Sequence, residues 1–118
     1  MHNVEQLKVW QLAMVIAKDV YVSTSDFPSD EKFGLTSQIR RAAVSIASNI
    51  AEGAGRYSDK EFAQFLSIAS GSSFEVRTQL LIAVELNYIS KDKVDTLLKS
   101  LSELEKMIFG FRRTLKNN

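Results

Sequence analysis

Cysteine is absent from the 118 residues, which excludes disulfides and thiolate zinc sites and fits a reducing compartment. One proline and five glycines are too few to punctuate short strands and turns, so long helices are favoured. The single histidine, His2, forms no Glu-x-x-His motif, and di-iron sites in helical bundles require that motif on facing helices. No metal and no cofactor are therefore expected. No run of about 18 apolar residues occurs, so no membrane span is expected either. The opening "MHNVEQLKVW" has neither the basic n-region nor the apolar h-region of a signal peptide. A cytoplasmic location is the expectation. Charge of one sign is also missing: 15 Lys and Arg against 14 Asp and Glu give +1, whereas a dedicated nucleic-acid binder is usually far more basic.

What the chain does have is helical periodicity. It is of a length for one domain, residues 1–118. In the first segment, residues 4–23 with Asn3 as a possible cap, Leu7, Trp10, Met14, Ala17 and Tyr21 recur at 3-4 spacing. Val9, Ala13, Ile16 and Val20 repeat that spacing on the adjoining face. Together the two stripes cover more arc than the roughly 100° a surface helix buries. The excess predicts a second, subunit-facing interface drawn from Leu7, Val9, Trp10, Ala13, Ile16 and Val20. After a polar link containing Pro28, Ser29 or Asp30 can cap a second segment, which places Leu35, Ile39, Ala42, Ala43, Ile46 and Ile50 on one side. Arg41, Ser45, Ser48 and Glu52 form a short-chained polar stripe across from them. Gly53 and Gly55 end this segment, and Ser58 with Glu61 starts the third as a capping box. Phe62, Leu66, Ala69, Ser73, Val76, Leu80 and Ala83 carry that segment to Asn87. Ser90 caps the fourth, built on Val94, Leu97, Leu101, Leu104, Ile108, Phe111 and Leu115. Heptad-like spacing and short connections predict an all-α, antiparallel up-down-up-down four-helix bundle.

Chemistry-bearing motifs are scarce. Gly53-Ala54-Gly55 follows a helix rather than a strand and has no Gly-Lys-Ser/Thr after it, so it reads as a helix end and not as a phosphate cradle. "SIASGSSFE" (residues 67–75) is helical and lacks the Gly-x-Ser-x-Gly elbow of a nucleophile. Its Ala69, Gly71, Ser72 and Ser73 instead suit close helix approach. With His2 expected to lie in a loose N-terminus, a serine–histidine pair has little support. No catalytic residue is assigned, and the chain is not expected to be an enzyme. Glu75, between Phe74 and Val76, is expected to be partly buried with Arg41 as its partner. Two basic groups stand out: Arg40, Arg41, Arg56 and Lys60 around the turn between the second and third segments, and Arg112, Arg113 and Lys116 near the C-terminus. Cations at a helix C-terminus also complement its dipole. Repetition of such groups around a symmetric ring would make a larger basic surface.

The stretches "LKVWQLA" (7–13), "FPSDEKFGL" (27–35), "QIRRAAVSIASNIAEGAGR" (38–56) and "FLSIASGSSFEV" (65–76), in this order, resemble a bacterial family. It comprises the small four-helix-bundle proteins encoded in intervening sequences of 23S ribosomal RNA genes, also labelled a ribosomal-protein family. The chain is similar, too, to the accessory protein of diversity-generating retroelements, which works with RNA and a reverse transcriptase. Ser70 departs from the family pattern, in which arginine commonly precedes the Gly-Ser of the third helix. The resemblance implies a ring-like homopentamer and a ribosome- or RNA-linked setting. Two functions follow as expectations: a non-enzymatic oligomer that binds RNA or a ribonucleoprotein partner, or a homo-oligomeric ring that binds protein and touches no nucleic acid.

Overall fold

The computed structural model describes residues 1–115. Among them are four α-helices, α1 (Lys8–Ser23), α2 (Leu35–Ala54), α3 (Asp59–Glu85) and α4 (Lys91–Thr114), with two 3₁₀ turns and no strand.

Local chemistry sets the helix ends. The first helix starts later than its periodicity suggests. Val4–Gln6 form a 3₁₀ turn, Leu7 is extended, and Asn3 makes no side-chain cap bond. The Gln11 side chain donates to the Glu5 carbonyl at 2.9 Å and ties that turn to α1. Ser29 and Asp30 do not cap α2, because they sit in the second 3₁₀ turn, Ser29–Glu31. Glu31 serves instead: its Oε1 accepts the Leu35 N–H at 3.0 Å, and its Oε2 accepts the Tyr88 hydroxyl at 2.9 Å. The Leu35 bond first and the Tyr88 bond second hold the Glu31 pKa below its ordinary value, and the bond to Glu31 raises the pKa of the Tyr88 hydroxyl.

At α3 the Ser58 half of the capping box forms. Ser58 Oγ accepts the Glu61 N–H and donates to the Glu61 carboxylate, both at 3.1 Å. Asn87 ends α3 at φ 60°, a left-handed geometry that asparagine tolerates better than most residues. Tyr88 N–H returns to Ala83 O and Asn87 N–H to Val84 O, which satisfies carbonyls of the last turn as a Schellman motif. Ser90 accepts the Lys93 N–H at 3.3 Å to open α4.

The core follows the periodic stripes. The α3 stripe from Phe62 to Ala83 is buried throughout, as are Val94, Leu97, Leu101, Leu104 and Ile108 of α4. α2 packs most extensively on α3. α1 lies against α2 and α4, and α4 against α3, which closes the ring of neighbours with no diagonal contact among the described helices. The ends are tied by particular bonds. His2 N–H donates to Ala54 O at 2.8 Å, Arg40 Nε donates to Thr24 Oγ1 at 2.9 Å, and the Phe62 and Phe111 rings meet at 5.3 Å.

Candidate functional site

The small residues of α2 and α3 meet each other. Ala42, Ala43 and Ala47 are buried, and Ser45 Oγ pairs with Ser72 Oγ at 3.0 Å. Asn49 donates to both Ser45 O and Ser45 Oγ. Gly53 lies within α2, not beyond its end. A Cβ there would come 2.7 Å from both Phe62 Cδ1 and Phe65 Cβ. Its role is therefore close approach, while Gly55 is the capping residue at an ordinary φ of −84°. Ser72, Ser73 and Ala69 are buried as expected, but Gly71 faces outward, and a Cβ on it would have nothing within 4 Å.

The expected Arg41–Glu75 pair does not form, and both residues are exposed. The Ser45–Ser72 contact marks the line where α2 and α3 meet. At about 100° per residue, Arg41 is turned roughly 40° and Glu75 roughly 60° away from that line. The partly buried ion pair is instead Arg77–Glu105, at 2.9 Å between α3 and α4. Arg77 Nη2 also donates to Ser102 Oγ at 3.0 Å, and Ser73 Oγ donates to Glu105 at 2.6 Å. One sequence signal was available: each charged residue directly follows a core position, Val76 or Leu104.

The first basic group is divided by the fold. Arg40 and Arg56 are sixteen residues apart, about 24 Å along a helix. Arg40 staples α2 to the end of α1: it bonds Thr24 and the Tyr21 carbonyl, and its guanidinium stacks 4.6 Å from the Tyr21 ring. Arg41 is exposed nearby. Arg56 stacks at 4.8 Å on Phe65, and Lys60 is exposed on the first turn of α3.

One member of each basic group meets in a groove between the start of α3 and the end of α4. This groove of about 620 Å³ is lined by Lys60, Ala63, Gln64, Ser67, Ile68, Arg112 and Leu115. It shares Ser67 and Arg112 with a recess of about 160 Å³ that also contacts Ser70, Glu105, Ile108 and Phe109. Arg112 Nε donates to Ala63 O at 3.2 Å, which fixes its guanidinium at the wall. Arg113 lies 5.9 Å from the centre of the Phe109 ring. The one acid of the recess among the described residues, Glu105, is matched by Arg77. Lys116 lies outside the described residues.

Four of the six residues expected at a subunit interface are corrected by their burial. Val9, Ala13, Ile16 and Val20 are at most 3% exposed inside the chain's own core and have no surface to offer. Their stripe is the centre of the core-facing arc. Leu7 and Trp10 are half-buried at its edge, and the exposed apolar surface of α1 is Met14, Val15, Tyr21 and Val22. His2 is not loose: its ring packs on Phe62 and Phe111, and its Nε2 is 3.5 Å from Asp59 Oδ1. Among the described residues no three His, Asp or Glu side chains group as a metal site, and no helix is long and apolar enough to cross a membrane.

These features define a small all-helical bundle protein, closed around a small-residue seam and carrying a basic groove at one end. The 23S rRNA-intervening sequence protein family model matches residues 5–110, and the chain belongs to that family. Its fold is similar to the crystal structure of a protein of unknown function from the S23 ribosomal protein family of Bacteroides thetaiotaomicron VPI-5482. The TM-score is 0.80 at 22% identity, over 90% of this chain and 99% of that one, a likeness of fold. No curated protein matches the chain.

Proposed function

We propose that this chain is a non-enzymatic, antiparallel up-down-up-down bundle that binds RNA, free or within a ribonucleoprotein, through the groove between α3 and α4. The observation that carries this reading is the convergence of Lys60 and Arg112, from separate basic clusters, on one groove whose neighbouring acid, Glu105, is already paired. Family membership supports the same reading. A net charge of +1 sets the scale of affinity: one subunit supplies few phosphate contacts, so binding gains from repetition in an oligomer. The exposed Met14, Val15, Tyr21 and Val22 of α1 support a homo-oligomer, and the family resemblance supports a pentamer.

Fluorescence anisotropy with labelled RNA across a salt series tests the proposal, alongside sedimentation equilibrium. The Lys60→Gln, Arg112→Gln, Arg113→Gln variant should weaken every RNA tested by a similar factor. It should also flatten the log–log salt slope by roughly 0.7 for each lost phosphate contact. The same exposed apolar residues favour a second reading, a ring that binds protein alone. Salt-insensitive behaviour of the wild type, with no RNA bound at low salt, would select it.

A further inference from the structure

We infer that the α3–α4 groove takes a single RNA strand rather than a duplex, with Phe109 as the platform for one unstacked base; this rests on the RNA-binding reading above. Width is the first reason. Packed helices have axes about 8–10 Å apart, so a groove between two of them is narrow. Duplex RNA is recognised mostly by shape and by 2′-hydroxyl and phosphate contacts, which a dedicated duplex-binding domain spreads over about 16 base pairs. Lys60 and Arg112 line one recess, so a duplex could meet only its rim.

The lining is the second reason. Phe109 is 64% exposed although large and apolar, and Ile68, at 52%, lines the adjoining groove. Such surface gains nothing from a phosphate backbone but suits the face of a base, and single-strand sites combine a cationic track with aromatic platforms. Arg113 beside the Phe109 ring adds positive charge where the strand would pass. Gln64 and Ser67 supply donors and acceptors for a base edge. The third reason is preorganisation. The Ala63 carbonyl engages only the Nε of Arg112, which positions the guanidinium for a phosphate beside that base. Stacking and charge are thus assigned to different residues, and they can be separated experimentally.

The test measures the intact chain against a labelled single strand of about a dozen nucleotides and a duplex of about 16 base pairs. The single strand should bind at least about tenfold more tightly. Phe109→Leu should weaken single-strand binding about 5- to 100-fold while leaving its salt slope unchanged, and Phe109→Trp should restore it. Arg112→Gln should flatten the slope. Thermal melts establish that each variant is folded, and the Trp variant keeps the aromatic bulk should leucine disturb packing. Equal or tighter duplex binding, or a folded Phe109→Leu variant with unchanged affinity, would overturn the single-strand inference and leave RNA binding intact. Binding of neither RNA at low salt would overturn both.

Discussion

Helix α3 has two working seams, and they are built from opposite materials. Against α2 it presents Ser72 and the rings of Phe62 and Phe65, and α2 answers with Ser45 and Gly53. Against α4 it presents Arg77 and Ser73, and α4 answers with Glu105 and Ser102. The first seam is held by lack of volume, which lets backbones approach and dispersion act over many short contacts. The second is held by charge in a half-dry setting, where Arg77 Nη2 and the Ser73 hydroxyl depend on Glu105 while Arg77 Nε is buried without a partner. Removing an atom group should therefore hurt the second seam more, while adding one should hurt the first.

The largest effect is expected at the charged seam. Glu105→Ala leaves Arg77 partly enclosed without its carboxylate and strips the Ser73 hydroxyl of its acceptor. A fully buried pair broken this way costs about 3–5 kcal/mol. Arg77 is 23% exposed and its partner 15%, so water compensates in part and about 2–4 kcal/mol is expected by urea denaturation. Replacing the whole cluster, as Arg77→Met, Glu105→Leu and Ser73→Ala, leaves no buried polar group of it unpaired and should fall within about 1 kcal/mol of the wild type. A single-variant cost below about 1 kcal/mol would place the pair among surface ion pairs and leave the two seams differing in shape alone.

The small-residue seam should show the reverse sensitivity. Gly53→Ala pushes a methyl group to within 2.7 Å of Phe62 and Phe65, and Phe62 is buried and cannot swing away. Overpacking costs about 1–3 kcal/mol, offset by about 1 kcal/mol of helix propensity. A net loss of up to about 2 kcal/mol is expected in the same denaturation experiment. A gain would mean that α2 and α3 can separate slightly without penalty, and that the seam is not closely fitted.

The unequal legibility of the two seams has a physical cause. Periodicity reports which way a residue faces along one helix, so the α3 stripe from Phe62 to Ala83 and the Ser58 cap could be read directly. It does not report what lies opposite. Arg41–Glu75 and Arg77–Glu105 are equally plausible from residue type, and they differ by a rotation of a few tens of degrees that only the packed helices fix. The same limit explains α1, where both apolar stripes were visible but not which of them the chain would bury itself. It explains the groove as well: Lys60 and Arg112 are 52 residues apart and meet because the start of α3 lies against the end of α4.

A subtler measure of the small-residue seam is the hydroxyl pair at its middle. Ser72→Ala removes one hydrogen bond of 3.0 Å, worth about 1 kcal/mol when its partner is left in a part-buried site, and Ser45→Ala removes that bond together with the one from Asn49 to Ser45 Oγ. Asn49 keeps its bond to the Ser45 carbonyl in either variant, which limits the damage. The double-mutant cycle should give a coupling of about 0.5–1 kcal/mol. Zero coupling would mean that the two hydroxyls are satisfied separately by water, and that the seam rests on packing alone.

The smallest effect, and the one of opposite sign, is expected at Gly71. It sits in the middle of α3 one residue before Ser72, yet a Cβ would meet nothing within 4 Å. Glycine there exposes backbone and retains freedom in the unfolded chain without any close approach in return. Gly71→Ala should therefore raise stability by about 0.5–1 kcal/mol, against the loss expected for the same change at Gly53. Two chemically identical substitutions on facing helices would then differ in sign solely because one glycine lies in the seam and the other beside it. The comparison is best made by denaturation at two protein concentrations, because an oligomer adds a concentration-dependent contribution. A loss of stability at Gly71 that deepens at the higher concentration would mean that another copy packs against α3 there in solution.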